Sequence, residues 1–207
     1  MKYRASAIGK LMTEPRSKSE VLSETTKSYL LELWIEKNYG RKKVIDSKYM
    51  NKGIAVEEQS ITLYSLHTGE FYKKNNYRHQ NDYITGEPDI ITDECIIDIK
   101  SSWDIFTFMA SKHSKAINKD YYWQLQAYMD LFGKKSAKLV YVLSNTPDEI
   151  IEREVRFRTC DPKEFNFDDI PTEQRICEIS VEYNEDDIKR MYNRINECNE
   201  YYQSLKA

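Results

Sequence analysis

Gly86-Glu87-Pro88-Asp89 and, further on, Ile96-Ile97-Asp98-Ile99-Lys100 set a Pro-Asp pair ahead of an Asp-x-Lys triplet. The second run reads as a strand, because β-branched isoleucine favours pleated backbone. Side chains alternate along a strand, so Asp98 and Lys100 share one face while Ile97 and Ile99 share the other. Two isoleucines therefore anchor the strand, and an acid and a base lie together on its opposite face. An Asp-x-Lys triplet by itself also reads as a surface ion pair on a hairpin, so residues elsewhere have to decide.

The acid and base have a chemical use together. Hard divalent cations such as Mg2+ take oxygen ligands, often one or two carboxylates with the remaining positions left to water and substrate phosphate. Asp89 and Asp98 would supply those carboxylates. Lys100 would stand where an ammonium helps deprotonate a nucleophile or neutralises charge developing on phosphorus.

A third carboxylate comes from upstream. Met50, Ile54, Ile61 and Tyr64 fall on one helical face with a gap in the stripe, and Glu57 fills the gap. A Glu on a buried stripe is costly unless it is paired, protonated or bound to metal. Glu58 sits about 100° further round the helix and points elsewhere. Gly53, one turn before Glu57, leaves room for another backbone or a nucleic-acid strand. Downstream, Tyr121, Leu125, Tyr128 and Phe132 form an apolar helical stripe, and Gln124 and Tyr128 stand one turn apart. An amide and a phenol so placed can position a phosphate or an attacking water.

These motifs, Met50-x-x-Gly53-x-x-x-Glu57, Pro88-Asp89, Asp98-Ile99-Lys100 and Gln124-Leu125-Gln126, resemble the PD-(D/E)xK nuclease superfamily in order and spacing. Within it they look like the YqaJ-type viral recombination exonucleases, the lambda exonuclease family. Ala5-Ser6-Ala7-Ile8 and Glu14-Pro15-Arg16-Ser17 are similar to that family's opening segment. The resemblance implies Asp89 and Asp98 as metal ligands with the Ile99 carbonyl beside them, and Glu57 as a helical acid that ligates or orients water. It implies Lys100 as the catalytic lysine, Gln124 as the glutamine beyond the core strands, and Ser6 and Arg16 as contacts to the terminal phosphate; Tyr128 is expected to contact DNA phosphate from its spacing to Gln124. One departure is Glu87, a carboxylate where the family has a second phosphate-binding serine. Another is the short N-terminus, which lacks the family's upstream arginine and offers Lys2 or Arg4 instead.

Length and composition agree. A chain of 207 residues, 40% hydrophobic and 31% charged, can bury a core as one nuclease domain over residues 1–207. No stretch is apolar and long enough to span a bilayer or to serve as a signal peptide, so a cytoplasmic site in a bacterial or phage-infected cell is expected. Cys95, Cys160, Cys177 and Cys198 form no Cys-x-x-Cys pair, which argues against zinc ribbons, disulfides and the iron–sulfur branch of the superfamily. The net charge of −3 hides an asymmetry: residues 1–43 hold ten Lys/Arg against five Asp/Glu, and residues 148–207 nine against sixteen. The basic end can track phosphates while the acidic end faces away. Lys112, Lys115 and Lys119 follow Trp103, Phe106 and Phe108, a mixture that suits nucleic acid.

Helices are expected over 4–12, 20–38, 47–67, 103–111, 119–132 and 185–204, and strands over 70–78, 83–91, 95–100, 137–144, 150–158 and 175–182, with a mobile loop over 159–173. That order predicts an α/β, restriction-endonuclease-like fold with a mixed central sheet flanked by helices. The function expected is a Mg2+-dependent DNA exonuclease, with Mn2+ able to substitute, that resects double-stranded DNA ends from 5′ to 3′ for phage-type recombination. By resemblance it forms a homo-trimer and works with a single-strand annealing protein. The alternatives are an endonuclease of the same superfamily, favoured if Glu87 excludes a terminal phosphate, and a non-catalytic nucleic-acid-binding module.

Overall fold

The computed structural model describes residues 1–44, 46–157 and 161–206. At its centre is β5 (Ile96–Ser101), the strand expected around Asp98. It pairs antiparallel with β4 (Ile90–Ile91) and parallel with β6 (Ser136–Val142), and β7 (Ile176–Glu182) completes this sheet antiparallel to β6. A second, smaller sheet has the order β1 (Tyr3–Arg4), β3 (Ile84–Gly86), β2 (His79–Gln80). Parallel neighbours need a crossover, which α5 (Ile105–Ser114) and α6 (Lys119–Phe132) supply between β5 and β6.

The alternation along β5 distributes its residues between two cores. Ile97 and Ile99 pack with Val140 and Val142 against Ile61 and Tyr64 of α4 (Glu57–Thr68). Ile96, Ala137, Leu139 and Val181 join the other core, with α6, α1 (Ile8–Leu11), α2 (Glu24–Tyr39) and α8 (Glu185–Ser204). Helices thus cover both faces of a mixed sheet, the restriction-endonuclease-like arrangement. In α8, Ile188, Met191, Ile195, Cys198 and Tyr202 are all buried, as their spacing predicts. The helix α6 keeps its expected span because both ends are capped. Asn118 accepts from the Asp120 N–H at the start, and Gly133 takes the left-handed conformation at the end.

Several expectations give way. The strand expected over 83–91 is two, β3 and β4, in different sheets; Pro88 between them has no N–H to give a ladder. Residues 70–78 form no strand and are tied instead by side chains, described below. The helix expected over 47–67 breaks at Val56 (φ −110°, ψ 11°) into α3 (Lys48–Ala55) and α4. The break turns Met50 and Ile54 outward, 49% and 70% exposed, while Ile61 and Tyr64 remain in the core.

The N-terminal helix is shorter than expected, a 3-10 turn over Ala5–Ala7 followed by α1. The strand expected over 150–158 is a helix, α7 (Asp148–Phe157), whose acidic first turn follows Pro147; residue 158 lies outside the described residues. The loop expected to move, 159–173, is fastened where it is described, from 161 onward, because Phe165 is buried with Trp103 and Ile151, and Phe167 with Phe108 and Leu143, in two smaller apolar clusters. Cys95, Cys177 and Cys198 are free and buried, and Cys160 lies outside the described residues.

Helix α1 meets α6 at closest range through Gly9. A Cβ there would lie 2.5 Å from the Asp120 Cα, a contact with backbone that cannot swing aside. Gly9→Ala is therefore expected to lower unfolding stability by about 1–3 kcal/mol, despite alanine's better helix propensity. Urea unfolding checks this; an unchanged midpoint would mean that α1 shifts freely.

Candidate active site

Five of the expected site residues line one cleft of about 600 Å3: Glu57 from α4, Asp89 from the link before β4, Asp98 and Lys100 from β5, and Gln124 from α6. Tyr128 and Ile99 line it too. Asp89 ends the Pro-Asp link between the two sheets, and its Oδ2 accepts the Ile99 N–H at 2.6 Å. That bond ties the start of β4 to the middle of β5, so the two aspartates are held side by side.

Asp98 is 2% exposed, an unusual place for a carboxylate. Gln124 Nε2 donates to its Oδ1 at 3.1 Å. Its Oδ2 faces the Lys100 ammonium at 2.6 Å, a charge-assisted ion pair. Gln124 also donates to the Tyr128 hydroxyl at 3.1 Å, and that hydroxyl donates to the Glu87 carbonyl at 3.2 Å. A chain of three hydrogen bonds therefore runs from the backbone beside Pro88 to Asp98. Gly86 makes room for it, since a Cβ there would sit 2.7 Å from Tyr128 Cε1.

Placing these charges together perturbs them. Burial, reinforced by the neighbouring Asp98, pushes the Asp89 carboxyl up to about 7. Burial alone would lower the Lys100 ammonium, but Asp98 and Asp89 outweigh it and hold the group above the ordinary lysine range. Burial and the same aspartates push the Tyr128 phenol up, so it stays a neutral donor.

Glu57 opens α4, where a carboxylate complements the helix N-terminus. The helix is pinned to the sheet by Ser60, which hydrogen-bonds Ser101 at 2.8 Å and Ser144 at 2.6 Å. The Glu57 carboxylate meets Lys74 at 2.7 Å. Glu87, the departure noted in the sequence, pairs with Arg78 at 2.8 Å, which offsets its charge. Ser6 is exposed on its 3-10 turn, and Arg16 lies on a separate hollow shared with Thr13 and Glu20; neither lines the cleft.

The donor set fits a hard divalent cation. Two adjacent carboxylates, one almost wholly buried, offer the hard oxygen ligands such an ion takes. Among the described residues no three His, Cys, Asp or Glu side chains already converge as a finished cage. The third acid, Glu57, is engaged by Lys74.

A phage-related exonuclease from Haemophilus somnus 129PT superposes on the molecule with a TM-score of 0.84 and 30% sequence identity, over 98% of this chain and 93% of its own. The chain belongs to the YqaJ-type phage exonuclease family. It is thus a nuclease by kinship as well as by the composition of its cleft. An alkaline exonuclease from Laribacter hongkongensis shares the fold at TM-score 0.72 and 16% identity, over 98% of this chain and 88% of its own. The same Laribacter enzyme, in complex with dAMP, gives a TM-score of 0.71. No protein-family model and no curated relative matches the chain.

Sequence reasoning missed Tyr121 in the cleft wall and Lys74 beside Glu57. Tyr121, read as part of a core stripe, places its ring 4.9 Å from the Lys100 ammonium and lines the cleft. Its position one turn before Gln124 was the available signal. Lys74 sits in a segment without periodicity, and only the fold brings it to Glu57.

The raised Asp89 carboxyl has a consequence for stability. Its folded value lies above the ordinary aspartate value of 3.8, so between about pH 4 and 7 the folded chain holds a proton that the unfolded chain has lost. Stability contributed at this site therefore falls as pH rises through that window. In EDTA, Asp89→Asn is expected to be more stable than the parent by about 1–3 kcal/mol at pH 8 and nearly equal to it at pH 4. Denaturant titrations at the two pH values check this, and equal stability at both would show that the carboxyl is not strained.

Proposed function

We propose that the protein is a Mg2+-dependent exodeoxyribonuclease, with Mn2+ able to substitute, that degrades duplex DNA ends from 5′ to 3′. The observation that carries the reading is the pairing of Asp89 and Asp98 beside Lys100, with Asp98 buried and held between Lys100 and Gln124. Asp89, Asp98 and the Ile99 carbonyl would hold the cation, with Glu57 completing the set. The ion would polarise the scissile phosphate and make water a nucleophile near neutral pH.

The chain's own residues do the rest. Gln124 fixes the Asp98 carboxylate through Oδ1 while Lys100 holds Oδ2. Lys100, held above the ordinary lysine range by Asp98 and Asp89, is placed to neutralise charge that builds on the phosphate oxygens. Tyr128 anchors Gln124 and can donate a hydrogen bond but not accept a proton. DNA as the substrate is supported by the nuclease family and by the fold neighbour that binds dAMP.

An endonuclease reading drew its support from Glu87, and the Arg78 pair weakens it by cancelling the charge that would repel a terminal phosphate. Linear duplexes with 5′-phosphate or 5′-hydroxyl ends, incubated beside closed circular DNA in Mg2+ or EDTA, test the proposal. Loss of linear DNA alone, and only in Mg2+, is expected. Lys100→Ala should cut cleavage by about a hundredfold or more while DNA still binds. A nicked circle would replace the exonuclease by an endonuclease, and full activity in Lys100→Ala would move the site elsewhere. The proposal extends to a trimer encircling the duplex and a single-strand annealing partner. A trimeric mass by light scattering is expected, and a monomeric mass would remove the ring.

A further inference from the structure

Lys74 lies in the stretch that joins α4 to β2, which has no ladder of its own yet is held firmly beside the acids. Tyr72 stacks on Tyr64 with ring centroids 5.1 Å apart, and its N–H donates to Ser65 Oγ at 3.2 Å. The N–H of Asn75 donates to the Asp89 carbonyl at 2.7 Å, and its side-chain amide donates to the Pro88 carbonyl at 2.9 Å. The residue after Lys74 is thus bonded to the backbone of the Pro-Asp pair itself. Ion pairs between two loosely held surface side chains gain little, because ordering them costs entropy. Here both backbones are already fixed, one by Asn75 and the other by the serine contacts of α4.

The cleft's charges are matched in pairs. Lys100 faces Asp98 at 2.6 Å and Lys74 faces Glu57 at 2.7 Å, which leaves Asp89 as the cleft carboxylate without an ammonium of its own. The first pair is the more buried, whereas Lys74 is 36% exposed at the rim. A hard cation seated on Asp89 and Asp98 that recruits Glu57 competes with Lys74 for the charge of that carboxylate. Both cations want the same carboxylate, and the weaker, partly hydrated contact is the one that yields.

We propose that Lys74 is a built-in counter-ion that competes with the divalent cation for Glu57 and so sets the affinity with which the cleft takes its metal. The inference rests on the metal-dependent reading above. Lys74 also acquires a second role, because its backbone stays tied to Asp89 and the released ammonium remains at the rim, where nucleic-acid phosphates need neutralising. Metal and substrate then favour each other's binding through one side chain.

Calorimetric titration of Mn2+ and Mg2+, without DNA, into the parent, Lys74→Met, Glu57→Gln and the double variant tests this. Lys74→Met keeps the length of the side chain and removes its charge, and it should tighten metal binding by about fivefold, the worth of a partly exposed ion pair. Lys74→Arg, which keeps the charge, should bind as the parent does. In the Glu57→Gln background the Lys74→Met change should have no further effect, because the competition runs through that carboxylate. Unchanged or weaker affinity in Lys74→Met overturns the proposal. So does tightening that persists undiminished in Glu57→Gln, which would be a general field effect. If the parent binds neither ion, the metal-dependent reading fails and takes this proposal with it; binding without coupling removes the proposal alone.

Discussion

Two carboxylates forced together in a protein interior repel each other and have given up their hydration, and the rest of this molecule is organised around keeping Asp89 and Asp98 in that position. The restraint on Asp89 is local, through the proline that precedes it and the Ile99 N–H that donates to its carboxylate. The restraint on Asp98 comes from α6 through Gln124, and from its strand neighbour Lys100. Burying such a pair is stable only when each charge is answered, and removing one answer leaves the others more exposed to repulsion. The cleft therefore behaves as a unit.

That unit draws on both cores. Ile97 and Ile99 hold β5 against α4, and the same packing sets where Glu57 emerges. Ile96 and Leu139 hold the sheet against α6, which brings Gln124 and Tyr128 over Asp98. Strand alternation thus converts one stretch of sequence into two packing surfaces, with the charged residues on the α6 side.

How much was legible follows from the range of the forces involved. Asp98 and Lys100 could be read because strand geometry fixes their relation within three residues. The spans of α6 and α8 could be read because their caps and apolar stripes are local. Glu57 was found from a stripe that the structure divides at Val56, so the residue reaches the cleft at the start of a helix rather than in its middle. The doublet Ile150-Ile151 suggested a strand, whereas the Thr-Pro-Asp-Glu that precedes it starts a helix. Lys74 could not be read at all, since its place depends on Asn75 reaching Pro88 and Asp89 across thirteen and fourteen positions of chain. Ser6 and Arg16 came from resemblance alone, and the cleft wall does not include them.

The cleft residues run from Ser47 to Tyr128, but the sheet that supports them is not complete until β7 ends at Glu182. A chain still growing past Tyr128 has synthesised each of these functional groups while β5 lacks β6, its partner along its whole length. Without β6 there is no Val140 or Val142 to bury Ile97 and Ile99, and no wall to keep Asp98 dry. Pairings between residues so far apart in sequence close late in folding, because the loop entropy must be overcome first. The order of the strands thus imposes a delay between making the charged groups of the cleft and bringing them together, and a nascent chain carries them apart.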